Sequence, residues 1–203
     1  MKNNCFINGN GIVESGEYEK VEICGTGVFG SNVFANKVVV NGSASMGEGI
    51  EADILEINGA CCSSGSVKCN KIFVNGTFKS NKLDILCETL NVKGEVRGEE
   101  GEIKAKDIKI SGVIFVKNLV GDLINISAQK GALLAKLLNK EISTIEFIEG
   151  KHIEIDNVIV KRIDCEKIIV GKNCYIENLN CTGKAEIEKS SSVNHINGNF
   201  VYK

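Results

Sequence analysis

The stretch VVVNGSASMGEGIEADILEING, residues 38–59, decides the fold. Val38 and Val40 flank one residue and are followed by Gly42. Leu55, Ile57 and Gly59 repeat that arrangement 17 residues later. Working outward in both directions, glycines that follow a short apolar stretch fall at Gly9, Gly25, Gly42, Gly59, Gly76, Gly94 and Gly112, in steps of 16, 17, 17, 17, 18 and 18. Ahead of the last six stand the pairs Val21/Ile23, Val38/Val40, Leu55/Ile57, Ile72/Val74, Leu90/Val92 and Ile108/Ile110, all branched aliphatics.

A second column precedes the first: Val33/Ala35, Ile50/Ala52, Val67/Cys69, Ile85/Cys87, Ile103/Ala105 and Leu119/Gly121. Its second member is always small, which suggests that one corner of the interior is narrow. A third, weaker apolar position follows the glycine at Ala44, Cys61, Phe78, Val96 and Ile114. Apolar residues at alternate positions over a few residues indicate short strands with one face buried. Asn-Gly pairs at 8–9, 41–42, 58–59 and 75–76 suit corners that need positive φ. Self-similarity at a fixed short period is the mark of a solenoid, in which each repeat makes one turn and pairs in parallel with its equivalents. The expected fold is all-β: a single-stranded β-helix of about eleven turns, 16–18 residues each, forming a rod of roughly 50 Å at ~4.8 Å per turn.

Composition agrees. Ile and Val total 45 against 11 Leu, a β-branched excess that suits pleated surfaces. The 203 residues include no proline and 22 glycines, so glycine and asparagine must make the turns. A net charge of -2 argues against a protein that grips nucleic acid through a basic face. No apolar run approaches the ~20 residues needed to span a bilayer, and the first residues contain no signal-peptide core, so the chain reads as cytoplasmic. The whole of 1–203 reads as one domain, with regular repeats over 7–128, a variant turn or short helix over 129–142, and C-terminal turns over 143–200. In the middle segment Leu133, Leu134, Leu137 and Leu138 have helical spacing. Leu137 nevertheless follows Leu119 by 18 residues, and Ile142 follows Ile124 by 18, so a variant turn is favoured.

The outward positions place Glu51 beside Lys68, a favourable neighbour. Phe34, Val39, Phe73 and Leu86 are outward apolar residues and form a candidate lateral patch, although scattered surface apolars are the commoner case. Nine cysteines contain no C-x-x-C, and their odd number without an export signal argues against a disulfide framework. Six occupy inward positions, where cysteine acts as a small hydrophobe. His152 and His195 accompany no nucleophile motif and read as solvated. G-x-S-x-G, the P-loop and H-E-x-x-H are all absent. No catalytic residue, metal site or cofactor is therefore expected, and the chain is not read as an enzyme. A left-handed β-helix acyltransferase remains an alternative, since Val170-Gly171-Lys172-Asn173-Cys174 faintly matches its hexapeptide. The irregular steps between inward pairs weigh against it. A monomeric β-helix that binds another protein is a second alternative.

Residues 38–59 and their sibling repeats resemble the bactofilins, or polymer-forming cytoskeletal proteins. GALLAKLLNKEI (131–142), IEGKHIEIDNV (148–158) and IIVGKNCYIENL (168–179) are similar to the C-terminal half of a Bacillus and Clostridium branch of that family. The resemblance implies a right-handed β-helix that polymerises end to end into filaments without nucleotide. Such scaffolds localise other proteins in shape, envelope or motility processes. Some members use an N-terminal tail to touch the membrane; here only six residues precede Ile7, so membrane association is doubtful. Physics adds to the expectation, because an uncovered end turn exposes backbone hydrogen-bonding groups and apolar side chains. Phe6 and Ile7 at one extremity, and Val193, Ile196, Phe200, Val201 and Tyr202 at the other, are the residues expected to form a homopolymer interface. Client proteins are also expected, but the sequence does not identify them.

Overall fold

The computed structural model describes residues 2–127 and 142–203. Among these residues the structure is all strand and turn: β1 (Asn3–Ile7), β2 (Asn10–Val13), β3 (Gly16–Ile23), β4 (Thr26–Phe29), β5 (Val33–Val40), β6 (Ser43–Met46), β7 (Ile50–Ile57), β8 (Ala60–Ser63), β9 (Val67–Val74), β10 (Thr77–Lys82), β11 (Ile85–Val92), β12 (Glu95–Glu100), β13 (Glu102–Ile110), β14 (Val113–Ile126), β15 (Ser143–Ile155), β16 (Val158–Val170), β17 (Tyr175–Ile187) and β18 (Ser192–Tyr202). Every described pairing is parallel and joins a strand to its equivalent one turn away. The result is a β-solenoid of about eleven turns.

Side-chain columns follow from register. Val21 pairs with Val38, Val38 with Leu55, Leu55 with Ile72, Ile72 with Leu90 and Leu90 with Ile108. All twelve residues of the predicted aliphatic pairs are buried. Ala44, Cys61, Phe78, Val96 and Ile114 are buried as a further column. One apolar core runs from Ile7 to Ile187. Burying each Ile or Leu contributes about 1.5–3 kcal/mol, and every turn shares its column with the turns above and below.

One inward column is poorly legible in the sequence, because its members differ so much: Val13, Phe29, Met46, Ser63, Ser80, Gly98 and Val116. The buried hydroxyls satisfy themselves locally. Ser63 Oγ donates to the Gly65 carbonyl at 2.9 Å and Ser80 Oγ to the Lys82 carbonyl at 2.7 Å. At Gly98 the missing side chain is replaced by Leu83, whose Cβ lies 2.6 Å from where a Cβ on Gly98 would stand.

The Asn-Gly corners form for a different reason from the one expected. None of their glycines has positive φ; that conformation occurs instead at Asn32, Asn157 and Asn173, and at Gly16, Gly49, Gly101 and Gly198. Gly42, Gly59, Gly76, Gly94 and Gly112 are required by close stacking. A Cβ on Gly59 would run into the Gly42 carbonyl, and one on Gly76 into the Gly59 carbonyl. Beside this glycine stack the asparagines form a ladder. Asn58 Nδ2 donates to Asn41 Oδ1 at 2.9 Å, and Asn75 Nδ2 to Asn58 Oδ1 at 2.8 Å.

The choice between a variant turn and a short helix for 129–142 rests on residues 129–141, which lie outside the described residues. The residues on either side do correct the expected phase. Ile124 pairs with Ile153, not Ile142, and Leu119 pairs with Ile148. The turn before the segment is therefore the direct neighbour of the turn after it. Among the described residues no helix is long and apolar enough to cross a membrane.

Candidate interaction surfaces

The column of small residues marks a surface feature. In β9, for example, Cys69 is buried, Asn70 and Lys71 are both exposed, and Ile72 is buried again. Alternation slips by one at that point, so the strand bends. Repeated turn after turn, the bend leaves a longitudinal groove of about 720 Å³, with Cys69, Cys87, Ala105, Gly121, Gly150 and Cys165 on its floor. Seven adjacent rungs contribute, giving a length of roughly 29 Å. The corner is narrow on its interior side, as expected, and its outer side forms the floor of an external trough. At Gly150 a Cβ would meet the Gly121 carbonyl at 2.8 Å and the buried Ile153 and Ile124 side chains at 3.1 and 3.2 Å, so a side chain there would press into the core.

The walls of the groove differ along its length. Lys104 and Lys106 stand on one rung, flanked by Leu86 on the rung before and Val120 on the rung after, and Glu149, Asp164 and Glu166 follow on the next two rungs. Lys151 pairs with Asp122 at 2.8 Å and holds its carboxyl below the usual range. Arg162 Nη2 lies 2.7 Å from Asp164 Oδ2 and, by that hydrogen bond, lowers the Asp164 pKa against its partial desolvation. On the floor, burial pushes the Cys69 and Cys87 thiols up to about 12, so both are protonated near neutrality. Cys61, Cys69, Cys87, Cys165, Cys174 and Cys181 are the six buried cysteines, as their inward positions indicated.

The expected lateral patch is not one patch. Phe34 and Leu86 share one outward column, in which Glu51 and Lys68 separate them. The Glu51–Lys68 ion pair forms at 3.7 Å. Val39 and Phe73 belong to a different column, separated by Glu56. Val39 is also not exposed: 6% of its surface reaches solvent. Its ladder neighbours on either side, Glu22 and Glu56, are held in ion pairs by Lys20 at 2.6 Å and Lys37 at 2.7 Å. Phe73 is half-buried, while Phe34 and Leu86 are exposed.

At the extremities the structure separates residues that sequence reading grouped together. Ile7 is buried in the first turn, whereas the neighbouring Phe6 points outward beside Glu22 and carries Lys20 over its ring at 5.6 Å. At the other end β18 pairs with β17, and no strand is described on its far side. Phe200 continues the column of Ala185, and Tyr202 that of Ile187. Ala185 and Ile187 are fully buried, but Phe200 and Tyr202 remain 45% and 49% exposed. Their rings meet edge to face, with centroids 5.5 Å apart. Val193 and Ile196 also continue inward columns and are half-covered; Val201 faces outward above Glu186. His152 and His195 are exposed. Among the described residues no group of three or more His, Cys, Asp or Glu side chains is placed to hold a metal ion.

Over 88 residues this chain is 32% identical to the uncharacterized protein YhbE of Bacillus subtilis (strain 168). The match takes in 42% of this chain and 37% of the length of that protein. No family model and no solved structure matches the chain.

Proposed function

We propose that this chain is a bactofilin-like structural scaffold that assembles end to end into filaments without nucleotide. The reading is supported by the β-solenoid and above all by the end formed by β18. There Phe200 and Tyr202 stand in core columns, half-exposed, and among the described residues no strand pairs with the outer edge of β18. A second copy would extend both the ladder and the core. The filament would serve in the cytoplasm as a platform that localises client proteins, with no catalytic step, cofactor or nucleic acid involved.

The test is sedimentation of the purified chain over a range of concentrations, beside Phe200→Arg. The proposal expects the unmodified chain to form large particles and the variant to remain a folded monomer, because a guanidinium in the junction would be desolvated without a partner. Equal sedimentation of the two would remove Phe200 from the interface. A second reading is favoured by the groove: a monomeric rod that binds another protein along its length. It expects a monomer at every concentration.

A further inference from the structure

Cys165 and Cys181 are direct ladder partners on β16 and β17. Adjacent rungs lie ~4.8 Å apart, within the Cα separation that a disulfide spans. The two thiols lean across the gap in opposite senses. Cys165 Sγ donates to the Asn180 carbonyl on β17 at 3.6 Å, and Cys181 Sγ donates to the Glu166 carbonyl on β16 at 3.3 Å. Each sulfur thus reaches the residue beside the other. Cys165 also lines the groove, so a small molecule can approach it from solvent. Elsewhere along this column stand Ala35, Ala52, Ala105, Gly121 and Gly150, and a second ladder pair, Cys69 and Cys87, for which no sulfur-to-carbonyl hydrogen bonds crossing between the rungs are seen, so the reciprocal lean of the two sulfurs marks out Cys165 and Cys181.

We infer that Cys165 and Cys181 form an oxidisable dithiol that takes a low-molecular-weight disulfide as its oxidant and closes to an inter-turn disulfide. Cys165, the groove-lining thiol, loses its proton to solvent and attacks one sulfur of the oxidant RS–SR. The protein–S–S–R bond forms and RS⁻ leaves, taking up a proton. Cys181 then loses its proton and attacks Cys165 Sγ, releasing the second RS⁻, which is protonated in turn. Two protein thiols are oxidised by two electrons, and one RS–SR is reduced to two RSH. The product staples two adjacent turns where the ladder itself is irregular, since the β16–β17 register shifts between Cys165 and Ile168. Burial and the neighbouring thiol raise the Cys165 pKa, so closure is slow near neutrality and quickens roughly tenfold per pH unit while the thiolate is the minor form.

The whole chain, reduced and freed of reductant, is incubated folded with oxidised glutathione, alkylated and mapped by peptide mass spectrometry. The expected product links the peptide containing Cys165 to the peptide containing Cys181, with the loss of two hydrogens. The linkage should vanish in Cys181→Ala, which the column accommodates, and persist in Cys174→Ala. If the second variant fails to fold, fragment ions of the unmodified chain assign the linkage to Cys174 or Cys181. The inference is overturned if both thiols stay alkylatable, if Cys165 stops as a glutathione adduct, or if Cys165 links as readily to Cys174.

Discussion

Leu119 and Ile148 are direct ladder partners on adjacent rungs, although 29 residues of sequence separate them. Elsewhere the same step takes about 15 to 18 residues. The ladder therefore continues from β14 to β15 in register, across a step of sequence longer than any other between adjacent rungs of the described residues.

An excision tests this continuity. The regular corner Ile110-Ser111-Gly112-Val113 corresponds to Ile126-Ser127 on one side of the segment and Ile142 on the other. Replacing residues 128–141 with a single glycine would reduce the step from Ile126 to Ile155 to that between Ile7 and Ile23. The variant should keep its strand content and unfold within a few degrees of the parent. Loss of cooperative unfolding would mean that the segment holds the two halves together.

The glycine stack makes a position-specific prediction. Gly59→Ala and Gly76→Ala should each destabilise the fold by about 1–3 kcal/mol, because the new methyl overlaps a carbonyl of the preceding turn and the backbone must move apart. Gly9→Ala, with nothing within 4 Å of the added methyl, should change stability by less than ~0.5 kcal/mol. Urea unfolding of the three variants checks the contrast; equal effects would contradict the close-approach explanation.

These corners also show how far the sequence could be read. The inward aliphatics were legible because β-strand alternation and one-turn periodicity coincide at Val38/Val40 and Leu55/Ile57. The glycines were legible as corners but not in their cause, since positive φ and a stacked carbonyl both exclude a Cβ. The column of Ala35, Cys69 and Ala105 announced a restricted interior space without announcing the groove that lies outside it. Val39 was outward in pattern, yet it is buried between Glu22 and Glu56 of its own column, both of them ion-paired, which alternation does not encode. The phase beyond Ile126 misled because Ile142 stands one repeat after Ile124 by number, while the pairing selects Ile153.

Glu186 gives a pH-dependent contact near the β18 end. Hydrogen bonds from Lys184 at 2.7 Å and from Lys203 hold its carboxyl at about 2, against the usual 4.5. A depressed carboxylate pKa means that the stabilising contribution is present above pH 4.5 and is lost as pH falls from there through about 2. An NMR titration of the Glu186 side chain should place its midpoint well below that of an ordinary glutamate, and Lys184→Ala should move it upward. An unshifted midpoint would show that the pairing does not persist in solution.

Electron microscopy of the assembled chain tests end-to-end stacking most directly, through the axial repeat. About eleven turns at ~4.8 Å require a subunit rise of roughly 50–55 Å, or twice that if successive subunits alternate in direction, with the 4.8 Å strand spacing unbroken along the filament. A uniform population of single rods at every concentration, or a filament whose rise matches the width of the rod instead of its length, would contradict the account.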